Sequence, residues 1–433
     1  MSEGAEARPP DGPESGHLPT AEPGGYAPSV AERLAFYQRA GGIVTPLITM
    51  IFAFFVGGLV VLFTTGKNPL STYREIFNGT GLIWFREVGS YDIGLPLSDT
   101  RVWFPWNTSA FGDDPSVAAF NLQQTLLLTT TLIFTGLAVA FAFRCGLFNI
   151  GGQGQYIAGA LAAVWVGSSL VDLPRLPHIL LAVGAAALAG ALVAGVAGVL
   201  KATVGAHEVV VTIMLNWIMF HAGAWLLGVG GPLNEDPAQQ ASAYVAESAK
   251  LHVFWGLPGL QGVHIGLLVG IGALIVYALI LNRTTLGYEV RAVGYNPDAA
   301  RYGGISVARS YFLAMAIAGL FAGLAGAMDV LGWQYRLAES TVKGSTIGFL
   351  GIAVALLGRN TAVGVGLAAL LFGALLTGTS QRNLNPEVFQ PELASNLTLL
   401  IQGLVVLFVG ADVLVVYLWQ VRRKVFGRRA GAA

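Results

Sequence analysis

Apolar residues run along this chain in long blocks, with neither the period-two alternation of half-buried strands nor the narrow stripe of surface helices. A helix needs roughly 20 mostly apolar residues to cross a ~30 Å hydrocarbon core. By that measure the pattern predicts about ten spans, at 43–64, 122–143, 151–170, 178–200, 207–229, 264–282, 311–333, 344–358, 361–380 and 396–418. The span at 344–358 is short and bordered by glycine. The expected fold is all-α, a polytopic bundle of transmembrane helices.

Composition agrees with the pattern. Of 433 residues, 54% are hydrophobic and 11% charged, against about 25% charged in an average soluble domain. The net charge of zero carries no signal for or against a nucleic-acid or acidic partner, and no nucleic acid is expected among the partners. The one cysteine, Cys145, excludes an internal disulfide and a multi-cysteine metal site. Residues 1–40, rich in Pro, Gly, Ala and Glu, read as a disordered tail. Residues 41–418 form the transmembrane domain, and 419–433 are a basic tail. The first apolar block lies too far from the start to be a cleaved signal peptide, so it reads as a retained span.

The distribution of Lys and Arg sets the orientation. With the N-terminus inside and ten crossings, the inner side holds Arg144, Lys201, Arg283, Arg291, Arg301, Arg309, Arg359 and the RRKVFGRR tail. Both termini are then cytoplasmic. Two long loops, 65–121 and 230–263, face outward. In the first, NPLSTYREIF has the Tyr73, Ile76 and Phe77 spacing of a short amphipathic helix. The stretches GLIWFREVGS and VWFPW carry aromatics suited to the membrane interface.

The longest charged segment between spans is the cytoplasmic loop 283–310. Asn296 is placed to cap a helix, Pro297 fits its first position and Asp298 its first turn, and Gly303–Gly304 stop it. A helix of less than two turns is unstable alone in water, so the rest of the protein or a partner must hold it.

The chemistry of the spans is uncharged. No G-x-x-x-x-G-K-[ST] phosphate loop occurs, and no H-E-x-x-H, G-x-S-x-G or Cys/His cluster. Enzyme chemistry is therefore not expected, and neither is a metal or a cofactor. Ionisable residues in the spans are few, Glu208, Asp329 and Asp412, all near span ends, so no proton relay is visible. In its place, FNIGGQGQ at Phe148–Gln155 opens a span with amides and glycines, and VTIMLNW places Thr212 and Asn216 one turn apart on one helix face. Unpaired amides are costly in lipid, so Asn149, Gln153, Gln155 and Asn216 must face other helices or a wet cavity. Together with Thr212 they read as candidates for a path taken by a neutral, hydrogen-bonding solute. Small residues at Gly184, Ala187, Ala191 and Gly195, and at Gly319, Gly323 and Gly326, suit close helix packing.

Three stretches, GLFNIGGQGQYIAGALAA, HEVVVTIMLNWI and AVGYNPDAARYGGIS, resemble permease subunits of bacterial ABC importers. The branch is the one that handles branched-chain amino acids, simple sugars and nucleosides. FNIG-x-x-GQ, EVV-x-TIMLN and GFLGIAVALLGRN look most like its nucleoside permeases. The similarity runs from about Thr45 to Val415. It implies a subunit in the bacterial plasma membrane that works with a second permease, two ATPase subunits and an extracytoplasmic solute-binding lipoprotein. ATP would bind the ATPase partners and not this chain. Within Gly287–Ile305 it implies an ATPase-coupling segment that includes Gly287, Arg291, Gly294, Asn296, Pro297, Ala299, Ala300, Tyr302 and Gly304. The long tail before Arg33 departs from the family's pattern. A passive channel or secondary carrier is the competing class. A signalling or scaffold protein has no soluble domain to support it.

Overall fold

The computed structural model describes residues 50–63, 66, 68–82, 87–94, 101–107, 116–256 and 262–380, with single positions between 396 and 407. The tail 1–40, most of the span expected at 396–418 and the tail 419–433 lie outside the described residues.

The described chain is mostly helical. Six helices are long and apolar enough to cross a membrane, at Ala119–Arg144, Arg175–Val204, Glu208–Leu227, Gly266–Arg283, Val307–Gln334 and Glu339–Leu357. Two shorter apolar helices are α1 (Met50–Phe63) and α13 (Ala362–Gly378). The chain is a multi-pass membrane protein.

The helix α3 (Ser116–Arg144) is the centre of the bundle, buried over almost all of its apolar length. Against it lie α7 (Gly266–Arg283), α10 (Val307–Asp329), α12 (Ile347–Leu357) and α13. A second group is built around α4 (Gly152–Ser169), which packs on α5 (Arg175–Val204), α6 (Glu208–Leu227) and α10. Small residues set the closest crossing. A Cβ on Gly319 would stand 2.2 Å from the Gly190 carbonyl oxygen, and one on Gly323 would stand 2.2 Å from that of Ala186. Gly319, Gly323 and Gly326 thus pack as the sequence suggests. On α5, however, the buried stripe is Ala182, Ala186, Gly190 and Ala194, while Gly184 meets nothing. In an alanine-rich helix several i,i+4 rows are equally small, and only the neighbour selects one.

The short span expected at 344–358 is the second half of a broken helix, Glu339–Leu357. Its first part is α11 (Glu339–Gly344), the chain leaves helical geometry at Ser345–Thr346, and α12 follows. The GRN turn closes α12, with Arg359 and Asn360 at φ +50° and +53°. Arg144 donates from Nε (3.0 Å) and Nη2 (2.8 Å) to the Asn360 carbonyl, and the Tyr277 hydroxyl donates to it at 2.8 Å. The turn between α12 and α13 is thereby tied to α3 and α7.

Two features differ from an all-α expectation. Within 65–121, β1 (Glu87–Gly94) pairs with β2 (Arg101–Asn107) as an antiparallel hairpin, and β3 (Val253–Trp255) pairs with β4 (Val263–His264). Gly, Asp and Pro in those strands weaken any strand pattern, so the sequence alone gives no pairing signal. The predicted surface helix is present as α2 (Pro69–Gly79), capped by Asn68, with Ile76 buried.

In the loop 283–310 the sequence predicts one helix, and the structure has two. α8 (Thr285–Tyr295) is capped by the Thr284 side chain, and α9 (Pro297–Tyr302) by Asn296 Oδ1, which accepts the Asp298 and Ala299 N–H groups at 3.0 and 3.1 Å. The helical pattern of α8 is hard to read because its cap is a lone threonine and Gly287 and Gly294 interrupt it.

Candidate functional site

Two helices begin inside the bundle, and the polar residues singled out by sequence hold both starts. After α3 ends, the segment 145–151 turns back, so that Gly152 at the start of α4 faces Val139, more than a turn before the end of α3. The break before α12 meets it there: a Cβ on Gly348 would lie 2.4 Å from Gln153 Cα. Backbone groups at a helix start have no partner within the helix. Away from water they must find one elsewhere.

The amides supply those partners. Gln153 Nε2 donates to the Ser345 carbonyl (2.9 Å), and Gln153 Oε1 accepts the Gly348 N–H (2.8 Å), so one side chain bridges the break before α12. Asn216 of α6 donates to the Ile150 carbonyl (3.0 Å) and accepts the Gly154 N–H (2.7 Å). Asn149 and Gln155 exchange two amide hydrogen bonds, at 3.0 and 2.9 Å, and Asn149 Oδ1 also accepts the Gly151 N–H. Thr212, one turn before Asn216, donates to the Glu208 carbonyl of its own helix at 2.7 Å and packs on Gly151. All five are buried. Gly151 and Gly154 allow the contact, since a Cβ at either would press on the amides or on Thr212. The structure therefore gathers Asn149, Gln155, Thr212 and Asn216 where the start of α4 meets α6, and sets Gln153 apart from them against the break before α12, with the amide hydrogen bonds satisfied within the protein.

Sequence reading missed a second polar centre. Asp329, at a span end by pattern, is 4% exposed. Its carboxylate accepts from the Thr131 hydroxyl of α3, the Tyr156 hydroxyl of α4 (2.7 Å) and the Trp333 indole N–H (3.2 Å). Three donors from three elements match what a buried carboxylate requires. Trp333 belongs to a π turn, Val330–Gln334, that prolongs α10. A signal was present in the TTT run at Thr129–Thr131 opposite a lone in-span acid, but its partners are almost 200 residues apart. The π turn rests on His264, whose Nδ1 accepts the Gly266 N–H at 3.0 Å. Burial pushes this imidazole down to about 4. Of the other two in-span acids by sequence, Glu208 pairs with Lys201 at 2.8 Å. Asp412 lies outside the described residues.

On the other face, α8 and α9 project. Gly287 sits against the Ile280 and Leu281 backbone, Gly294 against the Arg144 carbonyl, and Ala300 is buried, so these three anchor the segment. Arg291 Nε donates to the Gly287 carbonyl at 3.2 Å. Asn296, Pro297, Ala299, Tyr302 and Gly304 are exposed, with Tyr295 and Tyr302 at 89% and 95%. Among the described residues no group of His, Cys, Asp and Glu is arranged to hold a metal ion.

Comparison with known proteins agrees with this architecture. Residues 121–410 match the family described as branched-chain amino acid transport system / permease component. The chain is 35% identical to the guanosine ABC transporter permease protein NupP of Bacillus subtilis, over 87% of this chain and 95% of that protein. It is 34% identical to the nucleoside ABC transporter permease protein NupB of Lactococcus lactis, over 78% and 83%. It is 33% identical to the glucose ABC transporter permease protein TsgB13 of Haloferax volcanii, over 84% and 86%. Both B. subtilis and L. lactis hold a second permease that matches at lower identity.

Proposed function

The chain belongs to the branched-chain amino acid transport system permease family, and on that premise we propose that it is the translocating subunit of an ABC importer for nucleosides in a bacterial plasma membrane. The observation that carries the reading is the similarity, over most of both chains, to permeases named for guanosine and nucleosides. A second reading, a simple sugar, is favoured by the glucose permease relative.

The full subunit has about ten spans with both termini cytoplasmic. It pairs with a second, different permease chain, as the two matching permeases in single organisms suggest. Two ATPase domains bind ATP on the inner side, and an extracytoplasmic lipoprotein delivers the solute. The segment α8–α9 is the ATPase contact. A short helix capped by its own asparagine and left exposed gains its stability from such a partner. Asn149, Gln153, Gln155, Thr212 and Asn216 form the polar part of the translocation path. They hold the two helix starts in the conformation described and turn amides toward solute when those helices part.

The test is ATP-driven uptake into liposomes by the assembled importer, with a panel of nucleosides, sugars and branched-chain amino acids. Uptake confined to nucleosides is expected; uptake of a sugar or amino acid alone would reassign the substrate. Single cysteines placed at 238 and 299, both exposed, of a Cys145→Ser protein should label from opposite sides, and labelling from one side would overturn the topology.

A further inference from the structure

The bundle holds a small cavity of mixed chemistry at the end remote from α8–α9. Gln124, Leu127 and Leu128 of α3, Trp333 of the π turn, and Leu376 and Ser380 at the end of α13 line about 200 Å³ of space. Gln124 stands 20 residues before Arg144, about 30 Å along α3. Arg144 meets Gly294 of α8 and holds the GRN turn, from which α13 runs to Gly378, just before Ser380. The cavity is therefore on the outer face in the topology above.

Its aromatic wall is fixed in advance. Trp333 Nε1 donates to Asp329 Oδ1 at 3.2 Å, and Asp329 also accepts from Thr131, two turns after Gln124 on α3. The loop 230–263 holds the same turn: the Leu251 N–H donates to the Leu331 carbonyl at 2.9 Å and the Val245 N–H to the Tyr335 carbonyl at 2.7 Å. Single π turns are frequent at functional sites. The polar wall is open to a ligand. The Gln124 amide and the Ser380 hydroxyl are half-buried and bond no other side chain or backbone group among the described residues. Three leucines, an indole, an amide and a hydroxyl thus converge on one concavity, the mixture by which small-molecule sites hold and orient a ligand.

Resting on the nucleoside reading above, we propose that this cavity is an entry subsite for the base of the nucleoside, packed against Trp333 and read at its edge by Gln124. Unstacked bases are commonly held in this way, by an aromatic side chain on the ring and hydrogen bonds on its edge. A primary amide sets two donors beside an acceptor, which a purine edge complements. The volume suits one ring system and not a larger solute. Ser380 adds a hydroxyl at the rim. Asp329 does not touch the base. It is a positioning residue that fixes the indole and, through Tyr156, ties the subsite to the residue after Gln155 on the helix that carries the amides.

The experiment uses the importer assembled with its partner subunits in liposomes. A subunit with Cys145→Ser and Ser380→Cys is treated with a small charged methanethiosulfonate from the side opposite the ATPase subunits, alone and with guanosine, guanine or ribose. Modification is expected, slowed by guanosine and by guanine but not by ribose. No modification from that side, no slowing by guanosine and guanine, or slowing by ribose alone would overturn the subsite. Guanosine uptake at saturating solute, basal ATP hydrolysis and yield of complex are then measured for Gln124→Leu, with Leu188→Ala on the exposed face of α5 as control. Gln124→Leu is expected to cut uptake per complex about ten-fold at unchanged yield and basal hydrolysis, the scale of one lost amide–base pairing. Unchanged uptake, or a fall in assembly in place of uptake, would count against the subsite. A parent importer that moves ribose or an amino acid and no nucleoside would instead overturn the function on which the subsite rests.

Discussion

Gln153 and Gly348, 195 residues apart, are joined by a hydrogen bond of 2.8 Å from the Gly348 N–H to Gln153 Oε1, and the same side chain donates to Ser345. One glutamine therefore satisfies both sides of a helix break. An apolar replacement leaves a buried N–H and a buried carbonyl without partners. Gln153→Leu is expected to destabilise the subunit by about 1–3 kcal/mol, read as a lower midpoint of thermal unfolding in detergent. An unchanged midpoint would mean that water or a neighbour replaces the amide.

Asn149→Leu and Asn216→Leu test the path. Flux per folded complex is expected to fall sharply while ATPase assembly persists. If folding alone suffers and flux per complex is constant, the cluster is a structural brace for the start of α4 and nothing more.

The Asp329 centre makes a different prediction. Tyr156→Phe removes one donor from a carboxylate that keeps two others, and hydrogen bonds to charged groups contribute about 1.5–3 kcal/mol. Asp329→Leu should cost more, because it strands the buried hydroxyls of Thr131 and Tyr156 and the part-buried Trp333 N–H of the π turn. Equal unfolding midpoints for the two variants would exclude Asp329 as the hub.

Asn296→Ala removes a side chain that accepts two N–H groups of α9. The loss is about 0.5–2 kcal/mol. Since α9 is exposed, the global unfolding midpoint should hardly move, whereas coupling of ATP hydrolysis to uptake should weaken. Full coupling in a well-inserted Asn296→Ala protein would argue against an ATPase contact at this helix.

His264 carries a pH dependence of known sign. Its imidazole ordinarily titrates at 6.5 and is held at about 4 by burial. Between those values the unfolded chain binds the extra proton, so stability is full above 6.5 and falls as pH drops toward 4. At pH 5 the loss is about 2 kcal/mol. Unfolding midpoints of the parent and of His264→Gln, compared at pH 7.5 and pH 5, should show the parent losing more. Parallel shifts would place the sensitive group elsewhere.

The sequence by itself determined the membrane class, because composition and block length depend on nothing beyond local hydrophobicity. It determined the cap of α9 for a similar reason: Asn296, Pro297 and Asp298 act within one turn. It also marked the five polar residues at the two helix starts, since amides in an oily chain are costly wherever they sit. Tertiary structure alone decided their partners. Gln153 meets Ser345, Asn216 meets Ile150 and Asp329 meets Thr131 across separations of 66 to 198 residues, and no periodicity reports such pairings. It also decided that Gly190 and not Gly184 meets α10, and that Asn216 and Trp217, adjacent in sequence, serve opposite faces of one helix. In a bundle of uniformly apolar helices every face looks alike in sequence, and only packing against a neighbour assigns an inside.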